Sequence, residues 1–163
     1  KRGQRLAALN LFASEIVALG LNAAQGLLCA EVFYWDENDR TRAFTARMKE
    51  GQGFAPVPTR VHAGTYSAVV HYLKAVQSLG VAAAKASGIE TVQRMKAMPT
   101  DDDAFGRGSI RADGRKLHPA FLLQVKSPEE SRGPGDICKI VQTIPAEQAF
   151  RPLAEGGCPL IKT

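Results

Sequence analysis

Hydrophobic and polar residues follow two periods along the chain, one typical of strands and one typical of helices. Residues 27–32 form a short apolar run that is interrupted only by Glu31 and is followed by an acidic turn at 36–39, an arrangement that predicts a buried strand. Between the run and the turn lies an aromatic triplet, residues 33–35. Because consecutive strand residues point to opposite faces, the three rings cannot all enter one core. We expect at least one ring to face a cleft, a partner or solvent.

The residues before this strand are consistent with a βαβ unit. The pattern of residues 4–12 is ambiguous between helix and strand, and Ser14 and Glu15 are placed as the cap of a short helix that follows. A strand, a short helix and a second strand would pair the two strands in parallel through a right-handed crossover.

Three helices are predicted in the middle of the chain, over residues 41–50, 63–79 and 89–98. The first carries Phe44 and Met48 inward at the spacing of one helical turn. The inward faces predicted for the other two are Tyr66, Val69, Val70, Leu73 and Val76, with Ser67 facing away, and Ile89, Val92, Met95 and Met98.

The last third of the chain is rich in turns and strands. The pair Asp113-Gly114 predicts a hairpin whose return strand runs over 119–126, with Phe121, Leu123 and Val125 on one face. A further strand is expected over 137–144, and a turn of helix after it.

Composition and charge exclude several classes of protein. The 163 residues are 45% hydrophobic and 23% charged, which is ordinary for one globular domain, and no apolar run approaches the roughly 18 residues of a membrane span. The net charge is +5, but Lys and Arg lie scattered among acids without a basic stripe, so no nucleic-acid partner is expected. The chain opens with Lys-Arg-Gly rather than Met, so we expect a piece of a longer precursor, and the lack of a signal does not indicate a compartment.

The residue types of enzyme and metal sites lack the spacing that such sites need. The three histidines are spread along the chain, and no phosphate-binding loop or nucleophile elbow occurs. Residues 101–103, Asp-Asp-Asp, are interpreted as a solvated turn rather than a metal site. Cys29 is expected in the core, while pairing of Cys138 with Cys158 stays open. We therefore expect no catalytic residue, no metal and no cofactor.

Four motifs together resemble the C-terminal part of one family, the periplasmic solute-binding proteins of ABC transporters. The resemblance is closest to the type I receptors for branched-chain amino acids and amides, which are similar to leucine-binding proteins. It covers the whole chain in order but only about the last two-fifths of such a receptor. The motifs are GLNAAQGLLCAEVFYWDENDRTRAF, AGTYSAVVHYLKAV, GRGSIRADGRKLHP and TIPAEQAFRPLAEGGCPL.

The resemblance implies an α/β fold with the parallel-sheet layers of a type I periplasmic binding protein, incomplete because parts of both lobes are absent. It places residues 1–33 in the ligand-side lobe, 34–105 in the crossover and the helices of the other lobe, and 106–163 in a C-terminal hairpin and tail. A fragment that spans both lobes should expose sheet edges and apolar faces. We therefore expect association with another copy as a homodimer, a rearranged strand pairing, or a sequence that begins partway into the full protein.

The function that the resemblance implies is solute binding without catalysis. The chain would belong to the extracytoplasmic component of an ABC importer, located in the periplasm, which holds a small amino-acid-like, amide or aromatic-acid ligand between two lobes and delivers it to a permease in the inner membrane. The alternative is a ligand-sensing regulatory domain on the same fold.

Six side chains are the candidate ligand contacts. Each has a structural alternative: a helix cap for the first two and for the histidine, core or hinge packing for the tyrosine and tryptophan of the aromatic triplet, and core packing for the tyrosine of the long helix. The candidates are Ser14, Glu15, Tyr34, Trp35, His62 and Tyr66.

Overall fold

The strands form two sheets within the part of the chain that the structure describes, a computed structural model covering residues 3–52, 57–159 and 161. The strands are β1 (Ala7–Ala8), β2 (Leu28–Glu31), β3 (Thr100–Asp102), β4 (Gly106–Ile110), β5 (Lys116–Leu117), β6 (Ala120–Val125) and β7 (Cys138–Ile144). The larger sheet has the order β1-β2-β6-β7 and the smaller β3-β4-β5.

The helices lie between the strands of both sheets. They are α1 (Ala13–Leu19), α2 (Leu21–Ala24), α3 (Asp39–Gln52), α4 (Arg60–Leu79), α5 (Val81–Ala86), α6 (Gly88–Ala97) and α7 (Ala146–Ala149), and a 3₁₀ turn covers Leu153–Gly156. In the described part of the chain, no helix has the length and apolar character needed to cross a bilayer.

The larger sheet contains the predicted βαβ unit. Strand β1 pairs with β2 in parallel, and α1 and α2 connect them. Strand β6 pairs antiparallel with both β2 and β7, with an irregularity between Leu122 and Leu123. The alternation predicted for β6 is confirmed, because Phe121, Leu123 and Val125 are all buried.

The aromatic triplet divides between two hydrophobic clusters. Tyr34 belongs to the cluster of the larger sheet, together with residues of α1, β2, β6 and β7. Phe33 belongs to a second cluster, with Phe44 of α3 and Ala63 of α4. Trp35 is half-buried and packs against both clusters. The expectation that the three rings do not share one core is confirmed.

The faces predicted for α4 and α6 are wrong in part: Tyr66 packs against the second cluster as predicted, but the most buried positions are others. Helix α4 turns Ala63, Ser67, His71 and Ala75 inward, while Leu73 of the predicted face is 56% exposed. The buried residues are small, or they find polar partners: Ser67 Oγ donates to Asp102, and His71 Nε2 lies 2.8 Å from the carbonyl oxygen of Met95. Helix α6 likewise buries Thr91, whose hydroxyl donates to the carbonyl of Ser87 (3.1 Å), and exposes Ile89 and Val92. Hydrogen bonds made by Ser67, His71 and Thr91 replace the apolar stripes in these contacts, although His71 Nδ1 is buried without a hydrogen-bond partner among the described residues.

The hairpin turn is confirmed, but its predicted return strand is wrong. The turn at Asp113-Gly114 leads into the short strand β5, which pairs with β4. The chain then passes His118-Pro119 and enters the larger sheet as β6. Proline has no N–H to donate to a ladder, and the buried face of β6 is complementary to β2, so pairing with β4 stops at residue 117.

Residues 101–103 are not the solvated turn that the sequence predicted. Asp102 is only 6% exposed and ends strand β3. All three cysteines are free thiols; Cys29 is buried as predicted, Cys138 is also buried, and Cys158 is half-buried.

The described chain passes between the two sheets twice, after β2 and between β5 and β6. Residues 106–163 therefore supply strands to both sheets: β4 and β5 to the smaller one, and β6 and β7 to the larger one. The first crossing contains the aromatic triplet and the second contains Pro119, and the candidate site lies at the first.

Candidate functional site

A crevice opens between the larger sheet and the start of α4. Its space, including the open mouth, is about 450 Å³. Three parts of the chain that are distant in sequence meet there, namely the segment after β1 together with α1, strand β2 together with the residues after it, and the residues that lead into α4. The lining includes Leu11, Ala13, Ile16, Cys29, Glu31, Phe33, Tyr34, Trp35, Val57, Pro58, Thr59 and Arg60 from these parts, and Leu123, Gly135, Ile137 and Cys138 from β6, β7 and the loop between them.

Tyr34 and Trp35 form an aromatic wall whose polar ends are fixed. The Tyr34 hydroxyl donates to the carbonyl oxygen of Cys138 (2.5 Å), and Trp35 Nε1 donates to the carbonyl oxygen of Gly135 (3.0 Å). Burial raises the pKa of Tyr34, and neighbouring negative charges raise it further, so the phenol stays neutral and keeps its proton for this bond. The wall therefore presents ring surface with its donors already used.

Arg60 is held at the crevice by three groups from the side of the larger sheet. Its guanidinium donates to the carboxylate of Glu31 and to the amide oxygen of Asn10. It also lies over the ring of Phe12, with Cζ 4.2 Å from the ring centroid. The side chains of Arg60 and Glu31 are 19% and 11% exposed, which makes this a largely buried ion pair. Burial raises the pKa of Glu31, and the charge of Arg60 opposes that increase.

Sequence reasoning missed this cluster. Two signals could have found part of it: Glu31 is the single charge in an otherwise apolar strand, and Arg60 follows a Pro-Thr pair that caps a helix. The pairing itself depends on tertiary structure, because Asn10, Glu31 and Arg60 lie far apart in the chain.

Ser14 and Glu15 lie at the exposed N-terminal end of α1 and do not line the crevice, although their neighbour Ala13 does. The carboxylate of Glu15 accepts a hydrogen bond from the backbone N–H of Phe12 (2.6 Å). This contact is the reciprocal half of a capping box. Glu15 thus fixes the backbone beside Phe12, which in turn packs under Arg60.

His62 and Tyr66 lie on the first turns of α4. His62 Nδ1 accepts from the backbone N–H of Thr59 (3.1 Å), as a helix cap does. Tyr66 packs against Phe44, with ring centroids 4.9 Å apart. Neither lines the crevice, so of the six candidates the structure brings Tyr34 and Trp35 together there and places the other four around it.

The described part of the chain holds no group of three or more His, Cys, Asp or Glu side chains that could bind a metal ion. The chemistry of the crevice is instead one ion pair, an aromatic wall and a floor of aliphatic and thiol side chains. Such a site can bury a small organic molecule and pair with charged groups on it.

A family model for periplasmic binding proteins matches residues 1–133. A periplasmic binding protein from Burkholderia mallei is 38% identical, with a TM-score of 0.86, and the match covers 96% of this chain and 40% of that one. A branched-chain amino acid ABC transporter periplasmic ligand-binding protein from Burkholderia xenovorans LB400 is 34% identical, with a TM-score of 0.84, and the match covers 98% and 41% of the two chains.

A leucine-, isoleucine-, valine-, threonine- and alanine-binding protein from Brucella ovis, in a closed conformation, shares the fold at 16% identity, with a TM-score of 0.75 and coverage of 91% and 38%. The comparison with curated proteins gives no match. The chain thus spans about two-fifths of the length of the solved structures that it resembles.

Proposed function

Because this chain belongs to the periplasmic binding protein family, we propose that it is part of the solute-binding component of an ABC importer and that the crevice is part of its ligand site. The ligand is a small amino-acid-like, amide or aromatic-acid molecule. The observation that carries the proposal is the position of the crevice at the first crossing between the two sheets, with walls from the larger sheet, the aromatic triplet and the start of α4.

A ligand bound there would contact groups on both sides at once. Bending at the two crossings then couples ligand binding to a change in the relative position of the sheets, and a permease can recognise that change. Burial against Tyr34 and Trp35 contributes affinity, and the ion pair supplies polar contacts. The Burkholderia xenovorans relative, named as an ABC transporter ligand-binding protein, supports this role, the periplasmic location and the permease partner.

The six candidate contacts enter the proposal in two groups. Tyr34 and Trp35 touch the ligand. Glu15 and His62 fix the backbone beside Phe12 and Arg60, Ser14 lies next to Glu15, and Tyr66 packs against Phe44, so these four support the site without lining the crevice.

The test is a thermal-shift screen of the protein expressed from the complete gene, with amino acids, amides and aromatic acids as probes. A ligand at 100 times its Kd stabilises the folded protein by about 2.7 kcal/mol, which raises Tm by several degrees. Stabilisation by a member of these classes, confirmed by calorimetry at one site per chain, supports solute capture. A Tm that none of them changes contradicts it.

The same screen bears on the alternative, a ligand-sensing regulatory domain. Both roles predict ligand binding, but only a transport component predicts that the loaded protein stimulates ATP hydrolysis by its permease in reconstituted vesicles.

A further inference from the structure

A second cavity lies between α4, α6 and the smaller sheet, and we call it the α4 cavity. Its space, including the open mouth, is about 730 Å³. The apolar part of its lining includes Gly64, Ala68, Met95, Phe105 and Ile110. None of its described lining residues is shared with the crevice. A cavity with such walls can enclose the apolar part of a small organic molecule.

Two polar atoms in the wall of the α4 cavity are buried without a hydrogen-bond partner among the described residues. They are Nδ1 of His71 and Oγ1 of Thr100. The two residues are 3% and 1% exposed. Buried polar groups in folded proteins are nearly always paired, because an unpaired group has given up its hydrogen bonds to water without a replacement. Two such atoms in the wall of one cavity indicate a polar guest.

The two atoms come from neighbouring positions on α4 and β3. Ser67 donates to Asp102 of the strand, and Lys74, further along the helix, donates to the carbonyl oxygen one residue earlier in the strand. Helix and strand therefore run side by side in opposite directions. His71 lies one turn, about 6 Å, beyond Ser67, and Thr100 lies two residues, about 6.6 Å, before Asp102. Because these steps are nearly equal, His71 and Thr100 lie at the same level of the cavity.

The hydrogen-bonding roles of the two atoms define the polar group of the guest. A carbonyl oxygen only accepts, so His71 Nε2 donates to the carbonyl of Met95, and Nδ1 of the neutral ring is an acceptor. The hydroxyl of Thr100 can donate and accept. A hydroxyl group on a guest can donate to Nδ1 and accept from Thr100, and it thereby matches both positions.

The charged groups of the α4 cavity already have partners. Lys116 Nζ donates to Asp102 Oδ2 (2.9 Å) and to Ser67 Oγ, and it lies 4.6 Å from the ring centroid of Phe105. Burial lowers the pKa of His118, so this ring is neutral at neutral pH. The fixed charges of the described lining therefore balance, which favours an uncharged guest over an ion.

We propose that the α4 cavity binds a small uncharged hydroxyl compound, an alcohol or a phenol. Its hydroxyl group hydrogen-bonds to His71 Nδ1 and Thr100 Oγ1, and its apolar body packs among Met95, Phe105 and Ile110. The site is separate from the crevice, so this inference goes beyond the proposed function and does not depend on it.

The experiment measures Kd by calorimetry on the protein from the complete gene, with phenol and toluene as probes. Toluene carries a methyl group of similar size in place of the hydroxyl group. We expect wild type to bind phenol about tenfold more tightly than toluene, because only phenol pairs with the two polar atoms. Thr100→Val keeps the shape of the side chain but removes its hydroxyl, so it weakens phenol about fivefold and leaves toluene within about twofold.

The matched control is Thr91→Val. Thr91 is also a buried threonine, 3% exposed, but its hydroxyl already donates to the carbonyl of Ser87 (3.1 Å), and it is not among the described lining of the cavity. This variant should leave the ratio of the two Kd values within about twofold of wild type.

A second measurement does not depend on a variant. The NMR resonance of the His71 Nδ1 atom should move upfield when phenol is added and stay in place with toluene, because only phenol donates a hydrogen bond to its lone pair. If Thr100→Val does not fold, this resonance decides the question, and an Nδ1 signal that phenol leaves unchanged overturns the inference.

Two results of the calorimetry would also overturn it. Equal affinities for phenol and toluene in wild type, or no binding of either up to about 10 mM, would mean that water alone meets the two polar atoms. A preference for phenol that Thr100→Val leaves unchanged would place the binding outside the α4 cavity. Neither result bears on the proposed function, which the thermal-shift screen tests with different compounds.

Discussion

Three consecutive aspartates, residues 101–103, have different environments in the folded chain. Asp102 is 6% exposed: its Oδ2 accepts from Ser67 (2.6 Å) and Lys116 (2.9 Å), and its Oδ1 accepts from the backbone N–H groups of Ala104 (3.0 Å) and Phe105 (2.8 Å). Asp101 pairs with Arg40 at the surface. Neighbouring aspartates of the same type are therefore expected to contribute differently to the free energy of unfolding.

Replacing Asp102 by Asn should destabilise the protein by about 3 kcal/mol, because Lys116 then keeps a half-buried charge without its carboxylate partner. The matched control, Asp101→Asn, removes an exposed ion pair and should cost less than about 1 kcal/mol. Urea unfolding at neutral pH measures both. Equal losses for the two variants would contradict the assignment of Asp102 as a buried structural carboxylate.

The same residue makes stability depend on pH. Burial opposes ionisation of Asp102, but the hydrogen bonds from Lys116, Ser67 and the Phe105 N–H outweigh it and lower the pKa below the ordinary 3.8. A lowered pKa stabilises the folded state above the ordinary value, and this contribution is lost as pH falls through the folded-state pKa. The difference in unfolding free energy between wild type and Asp102→Asn should shrink below about pH 4. A difference that is constant from neutral pH to pH 3 would be inconsistent with this linkage.

At the scale of elements, α4 buries its small residues and exposes its large ones. Ala75 is fully buried while Leu73 is 56% exposed. We expect Leu73→Ala to change the unfolding free energy of this chain by less than about 0.5 kcal/mol, and Ala75→Leu to cost about 1–3 kcal/mol through overpacking against its neighbours. Urea unfolding of the two variants tests the orientation. The opposite order would restore the face that hydrophobic periodicity predicted.

Periodicity located the elements better than it oriented them. It predicted the helix over 63–79, which forms as α4 from Arg60, and the buried alternation of β6. Periodicity did not predict the inward face of α4. Ser67 and His71 are buried because they have polar partners on β3 and α6, and a hydrophobic pattern along one sequence does not reveal such tertiary partners. Of the candidate site, the aromatic wall was visible as an unusual triplet. The Arg60 cluster was not, because its three partners come from separate segments.

At the scale of the molecule, the clearest feature is apolar surface on the outer edge of the larger sheet. Leu6 and Leu9, which flank the edge strand β1, are 78% and 92% exposed, and β1 has one neighbour in the described sheet. The relatives are much longer than this chain, since the matches cover about 40% of them. An unpaired edge with exposed leucines favours association.

We therefore expect this chain on its own to associate at micromolar concentration and to give a mass above 17.5 kDa in size-exclusion chromatography with light scattering. Leu6→Lys combined with Leu9→Lys should shift the population toward the monomer. The control is Ile89→Lys, which places a charge on an equally exposed apolar residue of α6 and should leave association unchanged. A chain that is monomeric at all concentrations would argue against β1 as the sheet edge through which copies associate.

The position of Trp35 has one more consequence. It is the only tryptophan of the chain, it packs against both hydrophobic clusters, and its indole N–H bonds to the carbonyl oxygen of Gly135. Movement of one cluster relative to the other changes the polarity and quenching around this ring. Within this chain the indole is thus a built-in fluorophore, and its emission would report occupancy of the crevice in a stopped-flow titration without any attached dye.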